Sequence, residues 1–274
     1  MNIAIILSGG TGTRIRSDIP KQYMEVEGHT MIADCLQSFF GHPKIDAVQV
    51  VAHESWHAFI RRQAEQAHRG AFERRRAPRR RRADDGSHLP DEKFRGFSAP
   101  GTIRALSIVN ALRDLKETAA DDDIVIIHDA ARPFVSADLI SRLIEAASAQ
   151  DGAMPALSMK DTVYLLPEQD GAWRNAFETA DVGMETGTLQ LLPRARVVAG
   201  QAPEAFRFGK YLEANEALMP EKILAIKGSS EVAVLQGMDI VVIEGEETDF
   251  KITSDDDLAR YRVQLRKEDT GKEY

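Results

Sequence analysis

Residues 2–23 read NIAIILSGGTGTRIRSDIPKQY. The opening NIAIIL is short, apolar and rich in isoleucine, which is the pattern of a strand buried on both faces. The chain then leaves through Gly9, Gly10 and Gly12 and places Arg14, Arg16 and Lys21 in one loop. Glycines directly after a strand let backbone N–H groups approach a phosphate, and fixed cations beside them add charge-assisted bonds. The spacing matches neither GxGxxG nor GxxxxGK[ST], so neither the dinucleotide template nor the P-loop template applies. The plainer alternative is a tight turn with solvated basic residues. Three glycines followed by PKQY favour an anion cradle, with Arg14 and Lys21 as its cations.

Working outward, apolar runs at 3–7, 47–52, 124–128 and 240–244 read as buried strands. Amphipathic stretches at 30–40, 103–116, 136–149, 205–218 and 254–265 read as helices, with Ser136 and Ser254 placed as N-caps. Strands alternating with helices predict one α/β domain over 1–274, a Rossmann-like, mostly parallel sheet covered on both faces. In such a sheet the ligand crevice lies beyond the carboxyl ends of the strands. The chain has 274 residues, 43% hydrophobic and 28% charged, with a net charge of −8. That balance supports a sizeable core and gives no reason to expect a membrane partner. Nucleic acid is an equally poor fit. Cys35 is the only cysteine, so an internal disulfide or a cysteine metal cluster is excluded. The first residues lack a basic leader, and no apolar run approaches spanning length, so the chain reads as cytoplasmic.

Two segments break the alternation. Residues 61–82 hold ten arginines against the two acids Glu65 and Glu73. Without interleaved aromatics or periodicity, and with Pro78 inside it, residues 69–92 read as a disordered surface insertion. Residues 168–191 interrupt two strand-like stretches and suggest a protruding arm, taken as 161–196.

Other motifs carry chemistry. In IVIIHDAARPF, Asp129 follows a buried strand directly, a natural place for a Mg²⁺ ligand, because Mg²⁺ commonly takes one or two carboxylates plus phosphates. Arg132 is near enough to reach the same phosphates, although Asp129 also suits a plain turn ahead of Pro133. In SAPGTIRALS, Pro100 and Gly101 open a helix with Arg104 and Ser107 in its first part, which suits an anion or a heterocycle. EGEETDFKITSDDDL sets Lys251 between Asp249 and a capped helix. That reads either as a metal or phosphate site or as a charged strand edge. HESWH, from His53 to His57, formally matches HExxH. Zinc chemistry needs both histidines on one helical face, and this motif straddles a strand end and a helix start. A surface capping turn is the expected reading.

Taken together, these loops resemble the cytidylyltransferases that activate polyol phosphates, namely the 2-C-methyl-D-erythritol 4-phosphate and ribitol-5-phosphate families. LSGGTGTRIRSDIPKQY, PGTIRALSIVNAL, HDAARPF, KDT, LPRARVVAGQAPEAF and EGEETDFKIT carry the resemblance from end to end. It implies a nucleotidyltransferase fold of the glycosyltransferase-A type, with an arm that forms a homodimer. It implies CTP and a polyol phosphate as substrates and Mg²⁺ as cofactor. Leu7, Ser8, Gly9, Gly10 and Gly12, with Pro100, Gly101, Thr102, Arg104 and Ser107, would hold the nucleotide. Arg14, Lys21, Arg194 and Lys251 would serve catalysis. Asp129, Arg132, Asp161 and Thr162 would bind substrate, and Asp129 and Asp249 would hold the metal. HDAARP leans towards methylerythritol phosphate and GGTGTR towards ribitol phosphate; the former is favoured. Departures from the family pattern fall at Pro100, Ala202, Glu204 and Asp249 and in KGSSEVA, which replaces a Thr-Asp-rich stretch and in which Glu231 would play a similar role. A rival of another class is a non-catalytic nucleic-acid or partner-binding module acting through the arginine run.

Overall fold

The computed structural model describes residues 1–10, 19–75, 93–165 and 189–270, with backbone alone for 68–75 and 268–270. In chain order its elements begin with β1 (Asn2–Leu7), β2 (Glu25–Val26), β3 (His29–Thr30), α1 (Met31–Gly41), β4 (Ala47–Val51) and α2 (Glu54–Arg75). Next come β5 (Phe94–Ser98), α3 (Arg104–Leu115), β6 (Ile124–Asp129), α4 (Ala137–Ala149), β7 (Gly152–Ser158), β8 (Tyr164–Leu165) and β9 (Gln190–Leu191). The last are β10 (Val198–Gly200), β11 (Glu204–Arg207), α5 (Phe208–Ala217), α6 (Ser229–Leu235), β12 (Ile240–Glu244) and α7 (Asp255–Thr270).

β1 lies in the middle of the main sheet, parallel to β4 on one side and β6 on the other. Beyond β4 runs β5, also parallel; beyond β6, β11 is antiparallel and leads to β7, whose far edge pairs in parallel with β12. Side-chain alternation along β1 explains why its sequence is apolar throughout. Ala4 and Ile6 join a core with α1, α2 and α4, whereas Ile3 and Ile5 join a second core with α3, α5 and α6. Each of the three isoleucines, fully removed from water, is worth about 1.5–3 kcal/mol. The caps follow local chemistry. Ser136 accepts from the Leu139 N–H at 2.9 Å and Ser254 from the Asp257 N–H at 3.2 Å, both at the predicted positions.

The helix expected over 205–218 is corrected at its start. Residues 204–207 form β11, pairing with both β6 and β7, and the helix begins at Phe208. Two sheet partners outweigh the local helical pattern there. β5 and β7 carry weak strand signals. Gly96 sits at φ +113° beside a register shift, and Pro155 interrupts β7. Pro155 is tolerated because it falls between the stretches paired by β11 and by β10. The arginine-rich segment is also corrected in part, since α2 continues through Arg75; the rest of it lies outside the described residues. Most of the stretch read as an arm, 161–196, lies outside them too; among its described residues β8 and β9 pair antiparallel. No described helix is long and apolar enough to cross a membrane.

Candidate active site

Three parallel strands end level with one another, because Leu7 is in register with Val51 on one side and Asp129 on the other. Beyond those ends lies a cavity of about 500 Å³. Its lining is drawn from distant parts of the chain. Leu7, Gly9, Gly10, Lys21 and Gln22 come from the first loop, Val51 and His53 from the end of β4, and Gly101, Thr102, Ile103, Arg104 and Ser107 from the start of α3. Asp129, Ala130 and Ala131 follow β6, and Lys251 precedes α7.

The glycine loop is braced from behind. Gln22 Nε2 donates to the carbonyls of Ser8 and Gly10, both at 2.8 Å. Tyr23 OH donates to the Ser8 carbonyl at 2.7 Å, and the Ser8 hydroxyl donates to Tyr23 OH at 2.9 Å. Tyr23 is itself stacked on Trp56 at 4.4 Å. The PKQY stretch therefore supplies a lysine to the cavity and two side chains that fix the loop's carbonyls. Gly9 has no room for a side chain, since a Cβ there would lie 2.6 Å from Pro100 Cβ. Gly101 is equally confined: its Cβ would stand 2.4 Å from Leu106 Cβ, and its N–H donates to Ser107 Oγ at 2.9 Å. Lys21 Nζ donates to the Ile252 carbonyl, which ties the first loop to the segment carrying Lys251.

Charge in the cavity centres on Asp129. Arg104 donates to its Oδ1 through Nε at 3.3 Å and Nη2 at 3.1 Å, while Lys251 Nζ donates to Oδ2 at 2.8 Å. Burial pushes the Asp129 pKa upward, but the two cations more than reverse this and hold it well below the usual carboxylate range. Arg104 is raised in turn: burial opposes its charge, and Asp129 and Glu204 outweigh that opposition. Behind them His128 is fully buried, so desolvation lowers its pKa to about 4 and keeps the imidazole neutral at ordinary pH. Its Nε2 meets the Arg132 carbonyl at 2.9 Å, so that nitrogen carries the proton.

Of the predicted nucleotide and metal residues, Leu7, Gly9, Gly10, Gly101, Thr102, Arg104, Ser107 and Asp129 line the cavity, as do the predicted catalytic Lys21 and Lys251. Ser8 braces the loop instead of facing the cavity, and Pro100 packs against Gly9. Gly12 and Arg14 lie outside the described residues. Arg132 does not line the cavity; its Nη1 donates to the Asp249 carbonyl at 2.5 Å. Asp249 is fully buried and off the cavity, its carboxylate oxygens have no hydrogen-bond partner among the described residues, and desolvation raises its pKa to about 8. Asp161, Thr162 and Arg194 do not line it either, and Arg194 Nη1 donates to the Lys160 carbonyl at 2.6 Å.

Val51, His53, Ile103 and Ala131 escaped sequence reading, as did Gln22 and Ala130. The first, third and fourth carry no chemical signature, but His53 was legible as a polar residue just past a strand end. HESWH stands at the exposed start of α2, as expected of a surface turn, and His53 adds a contact with the cavity to that role. His53 lines the cavity, whereas His57 lies flat on Phe97 at 3.8 Å with Nε2 on the Ala52 carbonyl, so the two histidines diverge.

A glycine-lined cavity holding Lys21, Arg104, Asp129 and Lys251 at the carboxyl edge of a mostly parallel sheet belongs to a nucleotidyltransferase-type α/β enzyme. Residues 2–66 and 80–267 match the family described as IspD, 2-C-methyl-D-erythritol 4-phosphate cytidylyltransferase, and the chain belongs to that family. The internal unmatched stretch, 67–79, falls in the arginine-rich segment. A relative from Geobacter metallireducens with that enzyme name is 30% identical, over 93% of each chain. The bifunctional IspD/IspF enzyme of Rhodopseudomonas palustris strain BisB5 is 30% identical over 96% of this chain, which spans 55% of it. The crystal structure of the Francisella tularensis 2-C-methyl-D-erythritol 4-phosphate cytidylyltransferase has the same fold, with a TM-score of 0.67 and 24% identity over 96% of this chain and 99% of that one.

Proposed function

We propose that this chain transfers CMP from CTP to 2-C-methyl-D-erythritol 4-phosphate, releasing pyrophosphate and forming 4-diphosphocytidyl-2-C-methyl-D-erythritol for isoprenoid precursor synthesis. One observation carries the reading: residues from separate parts of the chain bring glycine backbone, cations and one carboxylate to a single cavity. The names of the family and of the relatives above favour this acceptor over ribitol phosphate.

A phosphate monoester near neutral pH is already largely dianionic, so its oxygen can attack the α-phosphorus without a general base. The bond to the bridging oxygen breaks, and pyrophosphate leaves with the electron pair. The barrier is repulsion between two anions and their alignment, which fixed cations and backbone donors lower. Lys21 and Lys251 face the cavity for that task, with Arg14 assigned the same role from the loop sequence. The backbone of Gly9, Gly10 and Gly101 can approach phosphates and base closely, because no side chain fits at Gly9 or Gly101.

The residues present suit Mg²⁺ through Asp129, a carboxylate facing the cavity at a strand end, with phosphate oxygens completing the shell. When bound, the ion neutralises charge on the triphosphate. Asp249 does not suit it, being sealed from the cavity. Asp129 keeps spare lone pairs beside its two ion pairs. We also assign a homodimer formed through the arm, supported by exposed Tyr164, Leu165, Leu189, Leu191 and Val198 near its base. Asp161, Thr162 and Arg194 would then serve the partner's substrate. The cytoplasm is the assigned compartment.

The test is pyrophosphate release by purified protein with CTP and each candidate acceptor, comparing the native chain with Lys21→Ala. Turnover with CTP and methylerythritol phosphate, reduced about 10²-fold or more in the variant, is expected. Preference for ATP or UTP, or a loss well short of that, overturns the reading. Replacing Arg79, Arg80, Arg81 and Arg82 by serine is expected to leave turnover within about twofold of native, a change too small to signal lost transition-state contacts. A module acting through the arginine run would lose its function.

A further inference from the structure

Arg104 reaches the cavity from the first turn of α3, yet the contact that fixes its guanidinium comes from α6. Nη1 donates to Ser229 Oγ at 2.6 Å, while Nε and Nη2 share Asp129 Oδ1. Ser229 is buried at the first position of α6. Its carbonyl accepts from Tyr211 OH at 3.1 Å, and Tyr211 is sealed in the core, stacked on Phe206 at 4.0 Å. The next residue is held as well: the Ser230 N–H donates to Glu204 Oε1 at 3.1 Å. Glu204 lies on β11, only 6% exposed, with Arg104 as a nearby charge.

We propose that Ser229 and Glu204 are positioning residues for nucleotidyl transfer: together they fix the first turn of α6 so that the Ser229 hydroxyl locks the Arg104 guanidinium on one oxygen of Asp129. This rests on the CTP reading above. A guanidinium bonded to a single carboxylate oxygen can swing about that contact, because the planar fork is not held at both ends. Ser229 supplies the second anchor. Asp129 Oδ2 is thereby left to Lys251 and to incoming groups on the cavity side. The carboxylate of Glu204 has two uses there. It satisfies the Ser230 N–H, which any acceptor could do, and it supplies a counter-charge that favours the charged form of Arg104, which a neutral residue could not. A buried carboxylate without a nearby cation is costly, so its presence at 204 points to Arg104 as the group it serves.

The test uses Ser229→Ala, Ser229→Thr and Glu204→Gln in the full chain. Glutamine retains an acceptor for Ser230 and removes only the charge. Ser229→Ala is expected to lower kcat about tenfold, with KM for CTP changed less than about threefold, and Ser229→Thr to recover to within about threefold. Glu204→Gln is expected to lower kcat about threefold, with an unaltered melting temperature. A second readout needs no turnover: the Arg104 Nε–H resonance, assigned by its loss in Arg104→Lys, should exchange with solvent about tenfold faster in Ser229→Ala. If the native chain shows no CTP turnover, the functional reading fails, and this resonance alone decides whether Ser229 anchors Arg104. An Arg104 resonance or a kcat that is unmoved in Ser229→Ala overturns the proposal, as does a threonine variant as impaired as the alanine one.

Discussion

Gly9 and Pro100 form a steric pair that can be tested in isolation. A Cβ on residue 9 would stand 2.6 Å from Pro100 Cβ, 3.4 Å from its Cγ and 3.7 Å from its Cα. Carbon atoms rest against one another at about 3.5–4.0 Å, so Gly9→Ala forces the two loops apart by about 1 Å. Overpacking of that size costs about 1–3 kcal/mol, partly offset by the about 0.4–1 kcal/mol that alanine gains by restricting the unfolded chain. Pro100→Gly removes Cβ and Cγ and leaves only the Cα, already at ordinary contact distance. The alanine should therefore be tolerated once the proline is gone. Four proteins close the cycle: native, each single variant and the double variant, measured by denaturant unfolding and by calorimetric CTP binding. The expected coupling is about 1–2 kcal/mol in favour of the double variant. Because both residues stand at the cavity, Gly9→Ala alone should also weaken turnover, by up to about 10²-fold for a 1 Å misplacement. An equal loss from Gly9→Ala in both backgrounds would refute the steric account.

Buried titrating groups give the protein a pH signature. His128 is held near pKa 4 against 6.5 unfolded, so between those values the unfolded chain binds more protons. The His128 contribution to stability is then complete above about pH 6.5 and is lost, to the extent of about 3 kcal/mol, as pH drops towards 4; urea titrations should find that contribution missing in His128→Asn. Asp249 acts with opposite sign. Its pKa of about 8 means the folded state binds the extra proton, so its contribution is lost as pH rises towards 8. Asp249→Asn should remove that loss, and an unchanged slope between about pH 4 and 8 would show the group is not buried as described. Asp129→Asn leaves Arg104 and Lys251 without their shared carboxylate. A destabilisation of about 2 kcal/mol is expected, discounted because Lys251 keeps solvent access, together with a weaker response of turnover to added Mg²⁺.

How much of this was legible in the sequence depended on how local each signal is. NIAIIL, AVQVV and IVIIHD carry their own strand signal, and Ser136 and Ser254 their own caps, because the deciding groups lie within a few residues. The crevice at the strand ends followed from alternation alone, and so did the glycine loop that enters it. Other features required the third dimension. Residues 204–207 are strand because β6 and β7 offer hydrogen bonds that no local pattern announces. Asp249 and Asp129 look alike in sequence, yet one is sealed from the cavity and protonated near neutral pH while the other is held ionised by Arg104 and Lys251. Ser229 meets Arg104 across 125 residues. Backbone preference is set by near neighbours, whereas the charge state and aim of a side chain depend on surroundings that folding alone assembles.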